Sequence, residues 1–162
     1  MKFFITGPQR SGTTFLANAI SQDLEIPLVD EMEFDARDYS KFIKLVEELP
    51  DWVCQAPALF HKVFDVYRDF PDVNFVVIRR DIEDILKSQK RIDWSDKEEL
   101  ENLRVSENDP RPIAQIKYDL WDSWKKYLPN YQEINYEDLR THRLWVDAEL
   151  RKDFHSKQWK VQ

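Results

Sequence analysis

The sequence predicts an α/β fold, one three-layer domain whose central parallel sheet is flanked by helices on both faces. Three observations carry this. Short apolar runs alternate with longer segments of helical spacing along the chain. The runs are continuously apolar, as in strands buried on both faces. The only two glycines, Gly7 and Gly12, fall between the first apolar run and the first helical pattern.

Each element follows from its pattern. Lys2–Thr6 is a short apolar run and reads as a strand. Gly12–Gln22 gathers Phe15, Leu16, Ala19 and Ile20 on one helical face. Pro27–Asp30 reads as a second strand, and Arg37–Leu49 as a helix stopped before Pro50. Trp52–Gln55 is a weaker strand. Ala58–Phe70 spaces Leu59, Phe60, Val63, Phe64 and Tyr67 as a helix ending before Pro71. Phe75-Val76-Val77-Ile78 marks the clearest strand, Asn74–Ile78, followed by a helix over Asp81–Lys90. Asp93–Asp109 is acidic and reads as a solvated surface. Arg111–Tyr127 repeats Ile113, Ile116, Leu120, Trp124 and Tyr127, with Pro110 and Pro112 suited to a first turn. Trp121, Trp124 and Tyr127 read as helix-packing residues. Tyr131–Asn135 is the last strand, and the tail from Tyr136 is charged and helix-compatible.

Length and composition bound the function. A chain of 162 residues, 42% hydrophobic and 34% charged, is expected to form a single domain over 1–162. Its core spans about 2–140, with a charged C-terminal segment at 141–162. One cysteine, Cys54, excludes a disulfide framework and a cysteine-based zinc site, and reads as a buried strand residue. His61, His142 and His155 lack a paired metal-ligand spacing. A net charge of −7 argues against a nucleic-acid partner. No apolar run approaches the roughly 20 residues of a membrane helix, and the N-terminal apolar stretch is too short for a signal peptide. The expectation is a cytoplasmic protein without a membrane partner.

In a parallel sheet, ligands bind beyond the carboxyl ends of the strands, and three motifs lie there. The first is Gly7-Pro8-Gln9-Arg10-Ser11-Gly12-Thr13-Thr14-Phe15. Its glycines have the five-residue offset of a Walker A loop, which lets backbone N–H groups close around an anion. The following helix adds its positive end, and Ser11, Thr13 and Thr14 add hydroxyls. The Walker lysine position holds Thr13, and the loop cation is Arg10. The second motif is the acidic turn Asp30-Glu31-Met32-Glu33 after the second strand, where a carboxylate beside an anion pocket suits general-base work. Strand alternation would turn Asp30 to the opposite side. The third is Arg79-Arg80-Asp81 after the central strand, where a magnesium-dependent enzyme would typically show an aspartate. Two cations there suit a second anion.

Pro-Gln-Arg-Ser-Gly-Thr-Thr resembles the 5′-phosphosulfate loop of sulfotransferases that use 3′-phosphoadenylyl sulfate (PAPS), and the arginine resembles the tyrosylprotein and bacterial branches. Arg80-Asp81-Ile82-Glu83-Asp84-Ile85-Leu86-Lys87-Ser88 resembles the family's 3′-phosphate motif, and Tyr136-Glu137-Asp138-Leu139 its Tyr-Glu-Asp-Leu element. The resemblance spans Phe3 to about Leu139. It implies a P-loop NTPase-like fold and sulfuryl transfer from PAPS to an acceptor hydroxyl or amine, releasing adenosine 3′,5′-bisphosphate (PAP) without a metal.

It further implies Arg10 and Glu31 as catalytic groups, with Glu33 as the alternative base. Gly7, Arg10, Ser11, Gly12, Thr13, Thr14, Phe15, Arg80, Ser88 and Tyr136 would hold the cofactor, and Asp84 would brace Ser88. The acceptor would be a small molecule, sugar or peptide, and the acidic 93–109 stretch favours a basic one. Gln9 departs from the family's proline. Cys54-Gln55-Ala56-Pro57 lacks the family's Lys-x-Pro lysine, for which Lys62 or Lys41 could substitute. Arg151 and Lys157 are further candidate cofactor contacts in the tail. Two other readings stay open: a P-loop kinase using ATP and magnesium, and a non-catalytic nucleotide-binding module.

Overall fold

The computed structural model describes residues 1–35, 37–92, 94, 95 and 97–145. Five strands form one sheet: β1 (Lys2–Thr6), β2 (Leu28–Asp30), β3 (Trp52–Gln55), β4 (Asn74–Arg79) and β5 (Tyr131–Asn135). Their order is β2-β3-β1-β4-β5, and all four pairings are parallel. The chain steps outward to β2, returns to β3 beside β1, and then crosses to β4 on β1's other side. That reversal opens a crevice at the carboxyl end of β1.

Strand periodicity assigns each side chain to a layer. Phe4, Trp52, Cys54, Phe75 and Val77 face one side and pack with Phe42, Val63, Ile85 and Trp121. These come from α2 (Tyr39–Val46), α3 (Val63–Asp69), α4 (Ile82–Arg91) and α6 (Ile113–Trp124). Ile5, Val53, Val76 and Ile78 face the other side against Phe15, Leu16 and Leu139. These come from α1 (Thr13–Leu24) and the single turn α7 (Tyr136–Leu139). A short helix, α5 (Lys97–Asn102), precedes α6. No helix among the described residues is long and apolar enough to cross a membrane.

Caps set the helix starts. The Asp38 carboxylate accepts from the Lys41 N–H at 3.2 Å, and Asp81 accepts from the Asp84 N–H at 3.2 Å. Helix α2 therefore starts at Tyr39 rather than Arg37, and it ends at Val46, before Leu49. The expected helix over 58–70 divides into a 3₁₀ turn, Pro57–Lys62, and α3, with a kink at Leu59. The turn lets Ala58, Leu59 and Phe60 all be buried, which one helical face could not achieve. Strand β3 is buried along its whole length between β1 and β2. Cys54 is buried there, and its thiol pKa is pushed well up by that burial.

Gly12 packs closely against α7. Its φ is +109°, and a Cβ there would lie 2.8 Å from Leu139 Cδ1 and 3.3 Å from Tyr136 Cδ2. Gly12→Ala is expected to cost about 2–4 kcal/mol, combining left-handed strain with overpacking against α7. Urea unfolding measures it.

Candidate functional site

The loop Gly7–Gly12 leaves β1 and enters α1 at the crevice. Three residues carry positive φ here: Gly7 (118°), Arg10 (67°) and Gly12 (109°). The Ser11 hydroxyl donates to the Pro8 carbonyl at 2.8 Å and braces the turn from inside. The Thr13 hydroxyl donates to Gln55 Oε1 at 2.9 Å, and Gln55 Nε2 donates to Asp30 Oδ2 at 3.2 Å. One amide thus links the start of α1 to the ends of β3 and β2, at the position where the resemblance wanted a lysine.

Two cavities meet at this loop. The first, about 70 Å³, is lined by Gly12, Phe15, Arg80, Ser88, Arg91 and Tyr136 together with Arg10, Thr13 and Thr14. Arg10 Nε donates to Ser88 Oγ at 2.8 Å, and Arg91 Nη2 donates to the same oxygen at 3.4 Å. Arg80 Nη1 donates to the Arg10 carbonyl at 2.6 Å, and its guanidinium lies 4.0 Å from the Tyr136 ring centroid. Arg80 Nε is buried without a hydrogen-bond partner. Three guanidiniums around one loop make a cationic pocket suited to an oxyanion. Phe15 belongs to its wall: it is buried and packs edge-on against Trp145 and His142 at 5.1 and 5.7 Å.

The second cavity, about 310 Å³, also touches Arg10, Thr13 and Thr14. Asp30, Glu31, Gln55, Ala58 and Trp94 are among its other lining residues. Glu31 sits in a 3₁₀ turn that the Asp30 carboxylate caps by accepting from the Met32 N–H at 2.9 Å. Burial, reinforced by the Asp30 charge, raises the Glu31 pKa to about 7 despite a hydrogen bond from the Ala58 backbone. Glu31 Oε2 is buried with no hydrogen-bond partner. Glu33 is exposed on the same turn.

The structure corrects several expectations. Asp30 does not turn away: it lines the second cavity beside Glu31, because the strand ends there and the 3₁₀ turn begins. Arg79 does not serve an anion pocket. It pairs with Asp122 and with Glu133 at 2.9 Å and lies 4.9 Å from the Tyr118 ring. Asp84 is exposed and does not brace Ser88, which is held by arginines. Lys62 lies 5.9 Å from the Tyr39 ring and Lys41 is exposed, so neither replaces the missing lysine. Trp121 and Trp124 pack as expected, whereas Tyr127 is exposed. Arg151 and Lys157 lie outside the described residues, as does the tail from 146.

The acidic stretch conceals a buried charge. Glu99 is 3% exposed and pairs with Lys117, itself 1% exposed, at 2.9 Å. Lys117 Nζ also donates to the carbonyls of Gly7 (3.1 Å) and Pro57 (3.0 Å) and to Gln9 Oε1 (3.0 Å). Gln9 Nε2 in turn donates to Glu99. The loop is therefore clamped from behind by a lysine the motif search missed. Its signal was present: Lys117 stands midway between Ile113 and Trp121 on the apolar face of α6. Arg37 and Arg91 were also missed. They follow the second and third motifs at a distance that loop geometry alone determines.

No family model and no curated protein matches the chain. Among solved structures, the fold is similar to that of deoxyadenosine kinase from M. mycoides with the products dCMP and a flexible dCDP bound. The identity is 17%, the TM-score 0.54, and the match covers 87% of this chain and 94% of that one. A second structure of that kinase, with bound dATP, matches at 18% identity, a TM-score of 0.52 and the same coverage. The chain thus has a P-loop NTPase-like fold of the kind found in kinases. The expectation of a PAPS-dependent sulfotransferase is corrected: both structures named here are of a kinase, and no family model supports the sulfotransferase assignment.

Proposed function

We propose that this protein is a P-loop kinase, moving the terminal phosphoryl group of a nucleoside triphosphate to an acceptor hydroxyl. The observation that carries the reading is the meeting of two cavities at Arg10, Thr13 and Thr14, one cationic and one holding a buried carboxyl. The shared fold with a deoxyadenosine kinase supports it.

The donor phosphates would lie along the loop N–H groups and the N-terminus of α1, with Arg10, Arg80 and Arg91 around them. The buried Arg80 Nε without a partner is a donor that such a phosphate would satisfy. On the other side, Glu31 takes the acceptor's proton as its oxygen attacks phosphorus, and the bond to the bridging oxygen breaks to release the nucleoside diphosphate. A carboxyl near pH 7 is well matched to that role. Arg10 faces both cavities and would stabilise charge spread over the transferring group.

Magnesium bound with the nucleotide would neutralise phosphate charge. Strand β4 ends on Arg79, with Arg80 next, rather than on an acid, so Thr14, which lines both cavities, is the group that would hold it together with the donor phosphates. The cytoplasm, where ATP is plentiful, is the compartment this activity fits.

The test is a thermal-shift panel with ATP, ADP, AMP and adenosine 3′,5′-bisphosphate, each with and without magnesium. A magnesium-dependent shift with ATP supports the kinase. A shift with the bisphosphate alone overturns it. Arg80→Ala is expected to weaken ATP binding by about 10–100-fold, the worth of a charge-assisted phosphate contact.

A further inference from the structure

The second cavity carries chemistry that narrows its occupant. Its polar lining includes two neighbouring carboxyls, Asp30 and Glu31. Asp30 is 2% exposed, and each of its oxygens already takes one hydrogen bond, from the Met32 N–H and from Gln55 Nε2. A carboxylate oxygen can accept a second. Glu31 adds a buried oxygen with no partner. Two neighbouring carboxyls ask for two donors from the ligand.

Of the two cations at this site, Arg37 pairs with Glu98 at 2.7 Å, and Arg10, whose Nε donates to Ser88, is the one assigned to the transferring phosphoryl group. An anionic ligand would meet carboxylates on the floor. The mouth is apolar: Met32 is 64% exposed and Ile92 50%, and Trp94 stands with them. Exposed apolar groups rimming a cleft mark a surface that a ligand covers. The volume, about 310 Å³, suits a small molecule.

We infer that the acceptor is a polyhydroxylated ring, a sugar or cyclitol, neutral or amine-bearing and not anionic. It rests on the kinase reading for its role as acceptor. One hydroxyl sits at Glu31 as the attacking group. A neighbouring hydroxyl or ammonium donates to Asp30, and the C–H face of the ring covers Trp94, Ile92 and Met32.

The experiment is a binding panel read by saturation-transfer NMR on the whole protein, without turnover. It compares glucose, glucosamine and inositol with glucose 6-phosphate and glucuronate. Binding of the neutral or amine-bearing rings, lost at least tenfold in Asp30→Asn, is expected. Since Asp30 is buried, Trp94→Ala is the second variant and is expected to weaken the same ligands several-fold. Preferential binding of the phosphate or the uronate overturns the inference, as does binding of none of the five or binding that neither variant weakens. ATP shifts run in parallel separate the two failures. ATP binding with a silent ring panel overturns this inference and leaves the kinase reading standing. Ring binding without an ATP effect upholds the cavity's chemistry and overturns the kinase.

Discussion

Glu31→Gln is expected to lower the proposed phosphoryl transfer by about 10²–10⁴-fold, the usual worth of a general base, and at the same time to make the protein more stable above pH 7. Both follow from one carboxyl. Burial and the neighbouring Asp30 lift the Glu31 pKa from 4.5 to about 7. The folded state then binds a proton that the unfolded state releases between those values. Stability falls as pH rises through that window, and the cost is complete above pH 7. Glutamine keeps an acceptor for the Ala58 N–H and does not ionise. The variant is expected to match the parent at pH 4 and to gain about 3 kcal/mol at pH 8, roughly 6–12 °C in Tm for a chain of this size. In the parent, kcat/KM should rise with pH, reach half its plateau near pH 7 and level off above it. A variant that loses activity but shows no pH-dependent gain in Tm would make Glu31 a binding group that is not strained by burial.

Lys117→Met should be the most destabilising single change, at about 3–5 kcal/mol. Burial pulls the Lys117 pKa down and Glu99 pulls it back up. Removing the ammonium strands the Glu99 charge in the interior and takes a donor from the carbonyls of Gly7 and Pro57. The double variant Lys117→Met with Glu99→Met should recover more than half of the loss, because apolar replacement of a buried pair is often near neutral. It should not recover nucleotide affinity, since nothing then holds the Gly7 carbonyl behind the loop. Urea midpoints and ATP affinities of both single variants and the double variant complete the cycle. A double variant that binds ATP normally would make the clamp purely structural.

Much of the fold was legible. Strand β4 announces itself as four consecutive apolar residues, and the loop does so because the chain spends both its glycines there. Each signal is local: a strand buried on both faces must be apolar throughout, and positive φ favours glycine. Strand β3 looked weak because four residues, one of them Gln55, carry little pattern. Its burial comes from its neighbours, β1 and β2. Glu99 was hidden in an acidic run, since nothing local marks which carboxylate will meet a buried lysine from α6. The sulfotransferase activity was read from a loop motif that different P-loop enzymes can share, and the structural likeness shows the shared fold alone.

The sequence alone determined the α/β class, the strands and a glycine-bounded loop at the end of β1, because propensity, periodicity and glycine placement act over a few residues. Only the tertiary structure decided which charges serve the site. Arg79 and Arg80 are adjacent, and strand geometry sends neighbours to opposite sides. Which side meets the ligand depends on what packs there. Asp122 on α6 and Glu133 on β5 take Arg79, while the loop and Tyr136 take Arg80. A charge's role is set by partners tens of residues away, and no local pattern encodes them.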